Sequence, residues 1–147
     1  MKFTLHNTVE MTLNAYLVEK AVKTTFAGEV REVEAITIIL VDDERLREMK
    51  LEYFGMDQYT DVIAFNLNEV DAAVEGEIYM APQQITANAR EYEQPFTREF
   101  IRVIIHGVLH LCGYEDDTPE LKAQMHGLEE QYLEMLNQPW SDSFERN

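Results

Sequence analysis

The chain is short of cysteine, of basic charge and of long apolar runs, and each shortage closes off a class of protein. A single cysteine, Cys112, stands among 147 residues. No disulfide can form within the chain, which fits a reducing compartment and gives a cytoplasmic expectation. No apolar stretch approaches the ~20 residues that a membrane-spanning helix needs. The opening residues, Met1-Lys2-Phe3-Thr4-Leu5, lack the charged, apolar and small-residue regions of a secretory signal. Repeats, low-complexity tracts and linkers are also missing, so the expectation is a single domain over 1–147 with a loose tail at 138–147. Basic residues number 12 against 28 acidic ones, a formal charge of −16. Nucleic-acid binders usually carry a basic stripe that releases counterions from phosphate, so bulk electrostatics here oppose nucleic acid. Any such contact needs a local basic patch or a partner that supplies the docking surface. Arg45, Arg47 and Lys50 are the densest basic cluster; they form either a solvated helix face or a contact to a phosphate backbone.

What is present describes an ordinary soluble domain, 46% hydrophobic and 27% charged. Residues 2–6 read as a first strand, and Asn7 or Thr8 as the cap of a helix over 9–26 that Gly28 ends. The β-branched run 35–41 reads as a buried central strand. Asp42 or Asp43 caps a short helix to residue 53, and a turn at 55–57 leads to a strand over 60–67. A loop over 68–74 joins it to an antiparallel partner over 75–80. Pro82 suits the first turn of a helix reaching residue 92. Pro95 interrupts the chain, and Thr97 is the expected cap of the next helix. Thr118-Pro119 opens a last helix to residue 136, with Leu121, Met125, Leu128, Tyr132 and Met135 as its apolar stripe. The fold class is α+β, a small mixed sheet of about four strands covered by helices.

Two of the four histidines, His106 and His110, follow the apolar run Phe100-Ile101-Arg102-Val103-Ile104-Ile105. On a helix they sit one turn apart on the same face, with Cβ atoms about 5–6 Å apart, close enough for two imidazoles to bind one metal. Gly113 can take the left-handed conformation that ends a helix. Asp116, just past that bend, can supply a third ligand, leaving a fourth position for water. The plain alternative is a chance pair of hydrogen-bonded core histidines. His106, His110 and Asp116 together leave Zn²⁺ an open corner, the pattern of a catalytic site; the carboxylate also suits Mn²⁺ or Fe²⁺.

The segment His106-Gly-Val-Leu-His110-Leu-Cys-Gly113-Tyr resembles the HGxLHLxGYDH signature of the YbeY family of metal-dependent bacterial endoribonucleases acting in ribosomal RNA maturation. Thr60-Asp61-Val62-Ile63-Ala64-Phe65 resembles that family's TDVLSF segment, and Gly76-Glu77-Ile78-Tyr79 its GDIxI strand. The similarity is clear over about residues 35–118. Two positions depart from it: the third histidine falls on Asp116, and an arginine after a tyrosine falls on Phe54. The resemblance implies a metal-dependent single-strand endoribonuclease whose partners are ribosomal RNA or small-subunit components, reached directly or through a protein. It also places the strand opened by Thr60-Asp61 beside the cleft.

The ligand spacing is shared with zinc proteases of the HExxHxxGxx(H/D) type, whose Glu after the first His is the general base. Gly107 stands there, so peptide hydrolysis lacks its proton acceptor, and the helix is zincin-like only in its ligands. RNA cleavage also needs charge stabilisation on phosphate, for which Arg102, one turn before His106, is the candidate once Phe54 has removed the family's arginine. Asp61 and Asp117 are the catalytic candidates for proton transfer, with Glu77 and Glu115 as further acceptors or partners of the ligands. Met56 and Tyr59 can stack on bases or simply pack. Two other functions stay open: a ribosome-assembly factor that binds without cutting around a largely structural metal, and a hydrolase of another class.

Overall fold

A computed structural model describes residues 1–69 and 71–140. In chain order these form β1 (Lys2–Asn7), α1 (Ala15–Gly28), β2 (Val33–Leu40), α2 (Asp43–Phe54), β3 (Val62–Asn66), β4 (Val74–Met80), α3 (Pro82–Glu91), α4 (Phe96–Leu111) and α5 (Pro119–Leu136). The branched run of β2 makes it a central strand, parallel to β1 on one side and to β4 on the other. β3 returns antiparallel to β4 and forms one edge, so the order is β1-β2-β4-β3 in a mixed sheet. The expected α+β architecture is what the chain adopts.

Strand alternation divides the molecule into two layers of apolar contact. Ile36, Ile38, Leu40, Ile78 and Met80 face α1, α4 and α5, whereas Ile39, Ile63, Phe65 and Tyr79 face Leu46 and Met49 of α2. Fully burying one such aliphatic side chain contributes about 1.5–3 kcal/mol, so α4, with Phe100, Ile101, Ile104, Ile105, Val108 and Leu109 all fully buried, anchors the larger layer. Along α4 the partly exposed positions are Arg98, Arg102, His106 and His110, each four residues from the next. They form one polar stripe on an otherwise buried helix.

Three local expectations fail for identifiable reasons. α1 begins at Ala15 rather than residue 9, because the Asn7 side chain accepts from the Val9 and Met11 amides in a separate turn. The Thr8 amide meanwhile pairs with the Leu40 carbonyl at 3.2 Å and prolongs the sheet edge. Asn14 then caps α1 by accepting from the Leu17 amide at 3.1 Å. α4 starts one residue before Thr97, with Pro95 at the cap and no side-chain cap bond, and Thr97 is buried inside the first turn. On α5 the buried stripe is Met125, Glu129, Tyr132, Leu133 and Leu136, while Met135 is exposed. The boundaries of α2, α3 and α5 follow their caps: Asp42 accepts from the Arg45 amide, Thr118 from the Leu121 amide, and Pro82 and Pro119 occupy first turns. Of the expected tail at 138–147, residues 141–147 lie outside the described ones; Trp140 packs against the larger core. No helix among the described residues is long and apolar enough to cross a membrane.

Candidate metal centre

The polar stripe of α4 brings His106 and His110 together, and the turn after the helix brings Asp116 to them. Cys112 caps the helix, Gly113 takes φ 103°, and the Tyr114 amide returns to the Leu109 carbonyl at 3.1 Å. That left-handed step is the role expected of the glycine. His106 Nε2 lies 3.0 Å from His110 Nε2, and Asp116 Oδ2 lies 3.3 and 3.6 Å from the two. Among the described residues this is the group of His, Cys, Asp and Glu donors close enough together to hold a metal ion.

The tautomers can be read from what each outer nitrogen meets. His110 Nδ1 is 2.9 Å from the Tyr114 carbonyl, which only accepts, so Nδ1 carries the proton and donates. His106 Nδ1 is 2.6 Å from Glu129 Oε2 and donates to it. When both rings are neutral, each Nε2 therefore turns a lone pair inward, toward a carboxylate oxygen. Three such acceptors facing one point are held together either by a shared proton or by a metal cation. Corners of a tetrahedron with metal bonds of about 2.0–2.1 Å lie about 3.3–3.4 Å apart, and the three observed separations bracket that value. The donor set fits Zn²⁺.

Behind the donors is a buried ion network. Arg102 donates through Nε and Nη2 to Glu99 at 2.9 and 2.6 Å, and through Nη1 to Glu129 at 2.7 Å. Glu99 and Glu129 are only 1% and 2% exposed. Burial alone would raise Glu129, but its bond to His106 and the Arg102 charge hold it below the ordinary carboxylate value. Burial would lower His106, and the bond to Glu129 with the charges of Glu129, Asp61 and Asp116 outweighs it, leaving the imidazole raised. Arg102 is likewise raised by its two carboxylates against the cost of burial.

The other candidates fall in different places. Asp61 immediately precedes β3, which opens at Val62 rather than at Thr60-Asp61; it is bonded by Asn88 Nδ2 at 3.0 Å and close enough to His106 for their charges to couple. Burial pushes its carboxyl above the usual range. Asp117 and Glu115 stand exposed on the turn, outside the donor group. Glu77 faces the α2 side of the sheet, within reach of the Tyr79 hydroxyl at 3.3 Å and away from α4, so it is no partner of the ligands. Arg102 is turned inward onto two carboxylates, which removes it as a free cation for phosphate. A Cβ at Gly107 would lie 3.0 Å from Ile78 and 3.5 Å from Val62; a side chain there would enter the sheet, not the site. Burial raises the Cys112 thiol to about 11, in keeping with packing rather than chemistry. Glu129 is the residue that sequence reasoning missed, although a glutamate flanked by Met125 and Tyr132 on the stripe of α5 is a signal that a buried partner exists.

A mixed α+β sheet carrying two helical imidazoles and a carboxylate around an open corner defines a small protein with a hydrolase-type donor helix. The chain belongs to the YbeY family: the family model described as Endoribonuclease YbeY matches residues 2–137. An Endoribonuclease YbeY of Chloroherpeton thalassium is 38% identical over 136 residues, 92% of this chain and 96% of that protein. One of Chlorobium phaeovibrioides is 34% identical over 147 residues, 100% of this chain and 99% of its own. A solution structure from Thermotoga maritima is similar with a TM-score of 0.64 at 29% identity, over 97% of this chain and 98% of that one.

Proposed function

We propose that this protein is a metal-dependent endoribonuclease cutting single-stranded RNA in ribosomal RNA processing and ribosome quality control, in the cytoplasm. The observation that carries the reading is the convergence of His106 Nε2, His110 Nε2 and Asp116 Oδ2 in a chain whose relatives are named endoribonucleases. A bound Zn²⁺, or Mn²⁺ or Fe²⁺ in its place, would supply a Lewis acid for phosphate oxygens and a water of lowered pKa. Glu129 and the Tyr114 carbonyl fix the imidazoles so that both inner nitrogens face the same point. Asp116 adds a negative charge where the family pattern has a neutral ring, which makes the centre harder. Asp61, half-buried beside His106 with a raised carboxyl, is the group of this chain placed to hold a proton at the cleft. Arg102 acts as a positioning residue through Glu129, and Asp117 keeps only a place at the rim.

One observation favours the second reading, a ribosome-assembly factor that binds without cutting. The cations on the polar stripe of α4, Arg98 and Arg102, are both bound to carboxylates, and Phe54 stands at the family's arginine position. Metal analysis should find about one equivalent per chain. Cleavage of single-stranded RNA should be lost with chelator and in His110→Ala, and Asp116→Ala should lose most of the metal. RNA binding by fully metal-loaded protein without any cleavage would sink the nuclease reading in favour of the assembly factor. Casein and short peptides should stay intact throughout.

A further inference from the structure

The three donors lie within one helix and its turn, yet that turn is held by residues more than 80 positions earlier in the sequence. Just beyond α1, Glu29 accepts from the Tyr114 hydroxyl through Oε1 at 2.7 Å, and from the Tyr132 hydroxyl of α5 through Oε2. Two residues on, Arg31 Nη1 donates to the Cys112 carbonyl at 3.1 Å. Tyr114 is the pivot: its carbonyl takes the Nδ1 proton of His110, and Asp116 follows two residues later. Its side chain has a single phenol oxygen, and that oxygen is bonded to Glu29. The close approach of Tyr132 to the same carboxylate is permitted by Gly28, where a Cβ would lie 2.8 Å from Tyr132 Cζ.

We propose that Glu29 is a positioning residue of the metal centre: through Tyr114 it fixes the carbonyl that orients His110 and the turn that presents Asp116. This rests on the reading of those residues as metal ligands. The two tyrosines separate positioning from general support. Both bond the same carboxylate, but only Tyr114 belongs to the turn that carries the donors; Tyr132 sits on α5. Removing a group that orients a ligand typically weakens metal binding 10–100-fold. Tyr114 acts one bond further out, so the loss expected in Tyr114→Phe is about tenfold.

The test uses the full chain with Co²⁺ as probe. Affinity is measured by competition with a chromophoric chelator, coordination by the visible spectrum, and stability by the thermal midpoint of the metal-free protein. Tyr114→Phe and Glu29→Gln should each bind Co²⁺ about tenfold more weakly with an altered spectrum. Tyr132→Phe should keep wild-type affinity and spectrum even though its midpoint falls at least as far. Equal loss of affinity in the two tyrosine variants would reduce Glu29 to general support and overturn the inference. Wild-type affinity in Tyr114→Phe would do the same while leaving the metal centre standing. A wild-type protein that takes up no Co²⁺ or Zn²⁺ would remove the metal centre and this inference together.

Discussion

Arg102 is the side chain on which the site's charge balance turns. It neutralises two carboxylates that water does not reach, so its replacement strands Glu99 and leaves Glu129 with His106 alone. Arg102→Met is expected to cost about 3–5 kcal/mol, the usual effect of removing one partner from a buried ion network, read as a fall in the denaturation midpoint. A second outcome follows from protons. Glu129 is held below its ordinary 4.5 and His106 above its ordinary 6.5. The stabilisation from Glu129 is present above about pH 4.5 and lost as pH falls through its lowered folded value. That from His106 is complete below about pH 6.5 and lost as pH rises through its raised folded value. As far as this pair decides, the metal-free protein should be most stable between those limits. Metal must replace the inner proton of His106, so metal affinity should rise with pH over the same alkaline range. Thermal midpoints across pH, with and without Zn²⁺, check both slopes, and His106→Gln should flatten the alkaline limb of the metal-free curve. The donors were legible because a helix and a glycine bend place residues 106, 110 and 116 near one another in the chain's local geometry. Glu29 and Glu129 were not. Each is one glutamate in an acidic chain, and only tertiary packing shows that it is buried against the site.

At the scale of the element, α4 combines two demands. It must bury nearly every position and still present one polar stripe. Gly107 meets both by letting the helix approach Ile78 and Val62 closely. Gly107→Glu, which would restore the protease pattern, should instead drive a carboxylate into the sheet and lower the thermal midpoint severely, with no peptidase activity gained. Capping chemistry located the starts of α2, α3 and α5, with Asp42 rather than Asp43 as the cap of α2 and a proline in the first turn of the other two. It failed at α1, where Asn7 and Asn14 offer the same cap and the pairing of Thr8 with Leu40 settles which is used. It failed at Thr97 because a helix docked on a sheet can begin on a proline that precedes its first good cap. The stripe of α5 was shifted toward Leu133 and Leu136 for a related reason: periodicity gives a face, and the neighbouring helices decide how far it rotates.

Over the whole molecule the charge of −16 sets the terms for any RNA. The basic cluster of α2 has carboxylate neighbours of its own: Arg45 pairs with Glu48 at 3.4 Å, and Arg47 with Asp57 at 2.7 Å and Glu44 at 3.7 Å. Lys50 Nζ lies 4.8 Å from the Phe54 ring centre. Tyr59 is tied to Glu44 and lies under the Arg47 guanidinium, which leaves it poorly placed to stack on a base. Removing a cation that neutralises a phosphate lowers the salt slope by about 1. Replacing Arg45, Arg47 and Lys50 with alanine should therefore leave the affinity for a single-stranded RNA, and its salt slope, nearly unchanged. Salt titrations of both proteins check this, and a slope reduced by about 3 would reinstate the helix as the RNA-binding face.

The order in which the chain is made gives the Glu129 contact a meaning in time. His106 is synthesised 23 residues ahead of the carboxylate that orients it, which at about 5–20 residues per second is an interval of about 1–5 s. Through that interval the nascent chain already carries both imidazoles, on a helix whose apolar surface α5 has yet to cover. The centre becomes whole only as the last helix docks, so a chain broken off before residue 129 would carry the donors without the geometry to use them.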